Sequence, residues 1–272
     1  MGKKDLYGKM FRCEPGIHHR LSRWDPDDTA GLNRDKAEEQ FDKILTRLNE
    51  LEFLLYAESK HSVLVVLQAM DAGGKDGTIR NVFGPLNPQS CKVASFKTPT
   101  ALELSHDFLW RVHSVTPRLG EIAVFNRSHY EDVLIARVKS LVPRTVWSRR
   151  YSQINDFERL LAENGTHILK FFLHISKDEQ LKRLKKRLDD PTRHWKMNPA
   201  DFKERKLWGD YQNAYEDVFS RCSTDYAPWY VIPANHKWFR NLAIAQILAE
   251  KLESLKMKFP APNYDVSKIK VK

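Results

Sequence analysis

An apolar run that leads directly into a glycine-rich loop constrains the fold of this chain more than any other feature. Residues 62–67, SVLVVL, do not alternate between apolar and polar, which is typical of a strand buried on both faces of a parallel sheet. Residues 68–78, QAMDAGGKDGT, then approach the phosphate-binding pattern G-x-x-x-x-G-K-[ST]. We therefore predict a parallel α/β fold with a phosphate-binding loop, here called the phosphate loop (residues 68–78), after its first strand.

The residue types in the phosphate loop suit an anion. Gly73, Gly74 and Gly77 allow successive backbone N–H groups to point inward, and the following helix, which includes Thr78, adds its positive N-terminal end. Lys75 supplies a mobile positive charge for a transferring phosphate. The alternative is a plain glycine turn with an ordinary surface lysine, and the placement of the loop between a strand and a helix argues against it.

Two positions in the loop depart from the pattern. Ala69 stands where the first glycine is usual, and Asp76 stands where a serine or threonine would hold magnesium. Asp71, inside the loop, can take over the metal role, because a carboxylate is a good ligand for a hard cation.

Apolar runs and helical patterns alternate along the rest of the chain. Further strands are predicted at 92–96, 121–126, 168–175 and 229–232. Helices are predicted at 33–59, with Asn33 as N-cap, and at about 101–113, 128–140, 151–163, 178–188, 199–220 and 237–256. This order predicts a three-layer α/β sandwich, a parallel sheet of about five strands with helices on both faces. We divide the chain into an irregular arm (1–32), a single domain (33–258) and a tail (259–272).

Charged residues follow the third predicted strand. Ligands bind at the carboxyl ends of the strands in open parallel sheets, so these residues should face the same crevice as Lys75. Arg127 can bind a phosphate through two parallel hydrogen bonds, and Glu131 and Asp132 can hold magnesium or position an acceptor.

The same segment also has a structural interpretation. Ser128 and Glu131 fit a capping box that starts a helix, and this role is compatible with a ligand role for the neighbouring residues. For His129 we favour a packing or orienting role over catalysis.

Residues 182–196, KRLKKRLDDPTRHWK, are dense in cations. A run of charge usually marks a solvated helix face. This run follows the fourth strand, where phosphate-transfer enzymes of this layout carry a lid that brings arginines onto the migrating charge and excludes water. We therefore predict a helical lid at about 182–206. Cations interleaved with Trp195 can also indicate nucleic-acid binding, which ranks second because it leaves the phosphate loop without a role.

Charge and cysteine content restrict the partners and the compartment. The formal charge of +10, from 45 lysines and arginines against 35 acidic residues, favours a polyanion: nucleic acid, an acidic membrane, nucleotides or polyphosphate. Cys13, Cys91 and Cys222 fit neither a zinc pattern nor a disulfide framework, which indicates a reducing compartment. The N-terminal residues lack an apolar signal core, and no stretch approaches the ~18 apolar residues of a membrane span. We expect a cytoplasmic protein without a membrane partner.

Three ordered motifs give the chain a close resemblance to the family-2 polyphosphate kinases over about residues 35–256. They are MDAGGKDGT in the phosphate loop, FNRSHYED after the third strand and RLDDPxRxWKxNPxD in the lid. The resemblance implies a P-loop kinase-like fold related to thymidylate kinases. It implies Mg²⁺-dependent transfer of phosphate between polyphosphate and nucleoside phosphates, with Mn²⁺ as an alternative metal. It further implies adenine or guanine nucleotides as partners, a homo-oligomer and no nucleic-acid partner.

The resemblance assigns roles to individual residues. Asp71 and Lys75 match the metal-binding aspartate and the phosphate-binding lysine of the family, and Arg127 matches its strand-end arginine. Catalytic roles are expected for Asp71, Lys75, Arg127 and Arg187, metal binding for Asp71 and Glu131, and acceptor-nucleotide contacts for Asn126, Glu131 and Asp201. Phosphate and polyphosphate contacts are expected from Gly73, Gly74, Lys75, Asp76, Gly77, Thr78, Arg80, Arg127, Arg187, Lys196 and Lys203.

Two positions separate this chain from some relatives. Many members that act on nucleoside diphosphates have Asp before the strand-end arginine and Asn four residues after it, whereas this chain has Asn126 and Glu131. It resembles the subgroup that accepts monophosphates and carries them through to triphosphates, so we expect AMP to ADP and ADP to ATP, reversibly. Asn126 is a weaker metal ligand than aspartate, and Glu131 can supply the missing charge.

Three other functions stay open on the sequence alone. A nucleoside monophosphate kinase that uses ATP would have the same fold and no need of polyphosphate. A basic nucleic-acid-binding protein with a degenerate loop would bind single strands with a steep salt dependence and transfer no phosphate. An inactive scaffold is disfavoured, because Asp71, Lys75 and Arg127 are all present.

Overall fold

Five parallel strands form the centre of the computed structural model, which describes residues 6–196 and 199–269. The strands are β1 (Ser62–Ala69), β2 (Cys91–Ser95), β3 (Ile122–Asn126), β4 (Thr166–His174) and β5 (Trp229–Pro233). They lie in the order β2-β3-β1-β4-β5, and each neighbouring pair is parallel. The predicted five-stranded parallel sheet is confirmed.

Strand β1 lies at the centre of the sheet, and all of its residues are buried. Its register with β3 pairs Leu67 with Asn126, and the N–H of Arg127 donates to the Leu67 carbonyl at 3.1 Å. On its other edge, Ala69 pairs with Leu173 of β4. The phosphate loop therefore leaves the sheet between the segment after β3 and the segment after β4.

Helices cover both faces of the sheet. In chain order they are α1 (Leu6–Phe11), α2 (Arg34–Glu58), α3 (Lys75–Thr78), α4 (Ala101–Leu104), α5 (Trp110–His113), α6 (Ile135–Val138), α7 (Arg144–Glu163), α8 (Lys177–Leu188), α9 (Pro199–Glu204), α10 (Trp208–Cys222) and α11 (Lys237–Ser254). A π-helical turn, Ile79–Phe83, continues α3, and short 3-10 turns occupy Leu21–Arg23, His129–Asp132, Pro191–Lys196, Arg205–Leu207 and Val266–Lys268. Helix α2 packs against α11, and α7 packs against β4 and α10. No helix in the part of the chain that the structure describes is long and apolar enough to cross a membrane.

The predicted helix 33–59, a long amphipathic pattern with a capping residue at its start, is confirmed as α2. Helix α2 begins after Asn33, whose side chain accepts from the Lys36 N–H at 3.0 Å, as predicted. The predicted helix 101–113 is two short helices, because the Asp107 carboxylate accepts from the Leu109 N–H at 2.9 Å and turns the chain between them. The predicted helix 199–220 is interrupted by the 3-10 turn Arg205–Leu207.

The N-terminal arm is more ordered than the irregular segment predicted for residues 1–32. Helix α1 buries Tyr7 and Phe11, whose rings pack edge to face against Phe239 of α11 at 5.6 and 5.9 Å. The Cys13 N–H then donates to the carbonyl of Trp229 in β5 at 2.8 Å. The described part of the arm is thus joined to the same core as the sheet.

Candidate active site

The phosphate loop turns sharply at two residues in the left-handed region, Ala72 (φ 59°) and Gly74 (φ 106°). A Cβ atom at Gly73 would lie 2.4 Å from the Ala69 Cβ, and one at Gly74 would lie 2.1 Å from the Arg240 guanidinium. Close approach to the Ala69 Cβ and the Met70 carbonyl therefore requires glycine at position 73, and the left-handed backbone conformation favours glycine at position 74.

Lys75 begins α3, and its side chain turns back over the loop so that Nζ donates to the Ala69 carbonyl at 3.4 Å. Burial lowers the pKa of Lys75 from its ordinary value, and the nearby Arg127 lowers it further, while Asp71 and Glu131 act in the opposite direction. The ammonium thus lies near the carboxylates of Asp71, Glu131 and Asp76 and a guanidinium, an arrangement that suits the charge of a transferring phosphate.

Arg127 follows β3 in a left-handed conformation (φ 61°), which costs a residue with a side chain about 1–3 kcal/mol and is concentrated at functional sites. Its Nη2 lies 3.7 Å from Asp71 Oδ1. Burial acts to lower the pKa of Arg127, but the carboxylates of Glu131 and Asp71 hold it above its ordinary value. The strained turn brings this guanidinium beside the phosphate loop.

A pocket of about 200 Å³ brings three of the predicted residues together, Asp71, Arg127 and Glu131. Aromatic side chains from α10 and apolar ones from the start of α6 share it. The full lining is Ala69, Met70, Asp71, Arg127, Glu131, Leu134, Ile135, Lys139, Gln180, Glu204, Trp208, Tyr211 and Tyr215. Another cavity, of about 380 Å³, lies between α1 and α11, and its lining includes none of the predicted site residues.

An ion pair that the sequence did not predict bounds this pocket. Lys139 Nζ lies 2.5 Å from Glu204 Oε1, and the Tyr211 hydroxyl donates to Glu204 Oε2 at 3.2 Å. Glu204 ends α9, so the last part of the predicted lid reaches the same pocket as Asp71.

Asn126 and Asp76, which both differ from the residues usual at their positions, face each other. Asn126 Nδ2 donates to Asp76 Oδ1 at 3.1 Å. An asparagine can donate to a carboxylate where an aspartate would repel it. Among the other predicted phosphate residues, Thr78 is buried, Gly77 lies under the Arg240 guanidinium and Arg80 is exposed.

The turn after β3 corrects two interpretations. Ser128 Oγ accepts from the Tyr130 N–H at 3.1 Å, so Ser128 caps a 3-10 turn instead of forming the predicted capping box with Glu131. Asp132 accepts from Arg150 Nη1 at 2.9 Å, while Glu131 lines the pocket. Of these two carboxylates, Glu131 is therefore the candidate ligand.

A fully buried ion pair supports this turn from below. Lys170 Nζ of β4 lies 2.5 Å from Glu158 Oε2 of α7 and donates to the Tyr130 hydroxyl at 2.9 Å. The other Glu158 oxygen accepts from the Tyr130 hydroxyl at 2.8 Å and lies 3.2 Å from His129 Nε2. His129 is buried in this network and so packs and orients the turn. A lysine inside the otherwise apolar run of β4 was the sequence signal for it.

The predicted lid residues differ in how far they are buried. Arg187 is half-buried near the end of α8, and Lys203 is exposed on α9. Trp195 is 78% exposed on the 3-10 turn Pro191–Lys196. The side chains of Lys196 and Asp201 lie outside the described residues.

Sequence reasoning missed three residues that contact the phosphate loop from behind. Gln180 and Arg183 of α8 donate to its carbonyl groups. Arg240 of α11 is buried beneath Gly74, and burial, together with Arg183, lowers its pKa to about 9. The spacing of Gln180, Arg183 and Arg187 on one helical face was a signal for the first two.

Glu204 of the pocket is bound by Lys139 and Tyr211, which leaves Asp71 and Glu131 as its candidate metal ligands. Within residues 6–196 and 199–269, no group of three or more His, Cys, Asp and Glu side chains is arranged to hold one. Mg²⁺ is usually bound by one or two carboxylates together with waters and substrate phosphates, so the pair fits this ion.

A phosphate loop after the central strand of a parallel sheet, with an arginine and two carboxylates beside it, defines a phosphotransferase of the P-loop kinase class. The family model described as polyphosphate kinase 2 matches residues 31–260. The chain belongs to the polyphosphate kinase 2 family, as its three motifs indicated.

Individual relatives agree with this assignment. The chain is 56% identical to an "AMP/ADP-polyphosphate phosphotransferase" of Meiothermus ruber, over 96% of this chain and 98% of the relative. It is 45% identical to an "ADP-polyphosphate phosphotransferase" of Rhodopseudomonas palustris, over 93% and 92%. The crystal structure of polyphosphate kinase 2 from Arthrobacter aurescens TC1 superimposes with a TM-score of 0.92 at 42% identity, over 96% of this chain and 94% of that one.

Proposed function

We propose that this chain transfers phosphoryl groups reversibly between inorganic polyphosphate and adenine nucleotides, converting AMP to ADP and ADP to ATP. The observation that carries the proposal is the single pocket that Asp71, Arg127 and Glu131 share beside Lys75. These charges are the ones that phosphoryl transfer requires. Membership of the polyphosphate kinase 2 family supports polyphosphate as the donor.

The donor end of the polymer belongs on the phosphate loop. The helix N-terminus at Lys75 and the glycine turn before it favour a phosphate group there. Cations of the lid, including Arg187, Lys196 and Lys203, would follow the rest of the polymer. The net charge of +10 supports a polyanionic substrate of this kind.

The acceptor nucleotide belongs in the pocket of about 200 Å³. Asn126, Glu131 and Asp201 are assigned to it, with the aromatic side chains of α10 available to the apolar parts of a nucleotide. AMP acceptance is supported by the higher identity to the relative named for AMP and ADP, 56%, than to the relative named for ADP, 45%. Guanine nucleotides are the alternative acceptors.

The chemistry needs no strong general base. The attacking oxygen of AMP or ADP is already ionised, so positioning and charge neutralisation carry the reaction. Lys75 and Arg127 would neutralise the transferring group, and Arg187 would join them from the lid. The aromatic and apolar lining of the pocket would reduce the access of water.

The family chemistry implies a divalent metal, and Asp71 and Glu131 would hold it. Held there, Mg²⁺ would offset the negative charge of the substrate phosphates. Mn²⁺ is the alternative ion, because it takes the same oxygen ligands.

The proposal also covers the cellular compartment, the oligomeric state and the partners of the protein. The cysteines Cys13, Cys91 and Cys222 are free, which supports a reducing, cytoplasmic compartment. We further infer a homo-oligomer without a nucleic-acid or membrane partner. Light scattering of the purified protein, with and without single-stranded DNA, measures the oligomeric state and nucleic-acid binding.

Donor dependence tests the proposed function. Purified protein, Mg²⁺ and AMP are incubated with long-chain polyphosphate in one reaction and with GTP in a second, and ADP and ATP are followed by chromatography. We expect ADP and then ATP to form in the reaction with polyphosphate and not in the reaction with GTP. A protein that used GTP and left polyphosphate unchanged would be an ordinary nucleotide kinase. Tight binding of single strands without any transfer would favour the nucleic-acid alternative.

A further inference from the structure

The first turns of α8 run along the outer side of the phosphate loop and bind three consecutive carbonyl groups. Gln180 Nε2 donates to the Asp71 carbonyl at 2.9 Å. Arg183 Nη1 donates to the carbonyls of Ala72 and Gly73 at 3.1 and 3.0 Å. Gln180 and Arg183, one helical turn apart, are here called the α8 clamp.

Both members of the clamp are fixed at their other ends. Arg183 Nε donates to Glu179 at 2.7 Å, and its Nη2 donates to the carbonyl of Ala234, just after β5, at 2.6 Å. Gln180 Oε1 accepts from Arg205 Nη1 at 2.8 Å. One member therefore ties the loop to the end of the sheet, and the other ties it to the 3-10 turn that ends the predicted lid.

Burial makes these bonds costly to lose. Gln180 is 4% exposed, and the Arg183 side chain is 10% exposed. A buried carbonyl that loses its donor keeps the full penalty of desolvation, so the loop would rearrange to recover a partner.

The geometry of the peptide unit converts this clamp into control of the phosphate site. In a trans peptide the N–H points opposite to the C=O. The Gly73 N–H donates to the Met70 carbonyl at 2.9 Å, and the carbonyls held toward α8 turn the N–H groups of Ala72 and Gly74 to the other side, into the loop. Those are the groups that a phosphate-binding loop uses.

We propose that Gln180 and Arg183 are positioning residues that hold the phosphate loop in its phosphate-binding conformation and couple it to the lid. Arg183 acts through the loop backbone, and Gln180, which also lines the pocket, does so through its bond to the Asp71 carbonyl. The inference rests on the proposed function of that loop, and it predicts a loss of turnover without a matching loss of acceptor binding.

The test compares Arg183→Met and Arg183→Lys with the wild type in the polyphosphate and AMP assay. We expect kcat to fall about 10- to 100-fold in Arg183→Met, the usual effect of removing a residue that orients a site. The KM for AMP should change by less than about 3-fold, because the acceptor contacts remain. Arg183→Lys should lie between, since a lysine can reach one partner but cannot reproduce the fork of the guanidinium.

Gln180→Glu tests the bond from Gln180 to the Asp71 carbonyl separately from the bond that Gln180 accepts from Arg205. The carboxylate can still accept from Arg205 but cannot donate to Asp71, so kcat should fall about 10-fold while the lid contact stays. Arg159→Met, which removes an exposed arginine of α7 paired with Asp156 at 2.8 Å, is the matched control. Circular dichroism melts establish that each variant is folded at the assay temperature.

Two results would overturn the clamp. In one, folded Arg183→Met and Gln180→Glu keep the kcat of the control variant. In the other, their losses disappear when the assay is cooled, which would reduce the role to stability. A wild type inactive with polyphosphate would contradict the proposed function instead, and the clamp would then be measured with the donor that the wild type uses.

Discussion

Two cation–carboxylate pairs involve the segment that follows β3, one through Arg127 and the other through contacts with His129 and Tyr130, and they have opposite roles. Arg127 and Asp71 are 3.7 Å apart, with side chains 44% and 35% exposed. Lys170 and Glu158 are 2.5 Å apart and fully buried. The first pair is loose and open to the pocket, whereas the second is closed.

The difference lies in what else can bind each pair. Lys170 donates to the Tyr130 hydroxyl and to the Cys222 carbonyl, so every strong bond of the buried ammonium stays within the protein. Arg127 and Asp71 face a pocket where a phosphate can replace the carboxylate and a metal ion can replace the guanidinium. An open ion pair can exchange partners with a substrate, and a closed one can only support structure.

The two pairs are also connected through the chain. Tyr130 and His129 bind the closed pair and lie between Arg127 and Glu131, which reach the pocket. The closed pair therefore holds the turn from which the open pair acts. Variants at each pair should separate loss of activity from loss of stability.

The largest expected effect is on activity at the open pair. Arg127→Met should reduce kcat by on the order of 10³-fold, because the proposed role of its charge is to neutralise the transferring phosphate. The melting temperature should stay near that of the wild type, since the pair is partly solvated and contributes little to stability. Steady-state kinetics and a thermal melt check both parts. A large fall in stability with intact kcat would invert the comparison.

The next effect is on stability at the closed pair. Lys170→Met should lower the free energy of unfolding by about 3–5 kcal/mol, because it leaves the buried Glu158 carboxylate uncompensated. Urea denaturation measures it. The double variant Lys170→Met/Glu158→Gln should recover part of the loss, since no buried charge remains. Equal stability of Lys170→Met and the wild type would show that the pair is not closed.

The smallest effect is the pH dependence of the closed pair. Burial acts to raise the pKa of Glu158, but Lys170 and His129 hold it below its ordinary value of 4.5. A depressed folded pKa stabilises the protein above the unfolded pKa, and this part is lost as the pH falls through the folded pKa. Unfolding free energies measured from pH 6 downward should therefore decline more steeply in the wild type than in Glu158→Gln. Parallel curves would contradict the pKa direction.

The parts of the site that can be predicted from the sequence are those formed by residues that are close together in the chain. The run 62–67, the glycines at 73 and 74 and the lysine at 75 lie next to one another in the chain, so strand, turn and charge can be predicted together. The rule that parallel strands end at one edge then places Arg127 and Glu131 beside them. The division into an arm, a domain at 33–258 and a tail stays a prediction.

Contacts between distant segments could not be predicted in this way. Arg183 and Gln180 bind carbonyls about a hundred residues earlier, and Lys139, just after α6, pairs with Glu204 at the end of the distant helix α9. Every residue has a backbone carbonyl, so the sequence does not show which carbonyl a side chain will bind. The predicted helix 128–140 is wrong, since the chain forms the 3-10 turn His129–Asp132 and the short α6 there. It and the predicted helix 101–113 are broken because Ser128 and Asp107 cap local turns that compete with the helical pattern.

The turnover of Lys75→Ala with polyphosphate and AMP tests the central claim most directly. The Lys75 ammonium lies between the phosphate loop and the open pair, so its removal should lower kcat by on the order of 10³-fold or more while the protein stays folded. Turnover near that of the wild type in a folded Lys75→Ala protein would show that phosphate is transferred elsewhere and that this loop is a simple turn.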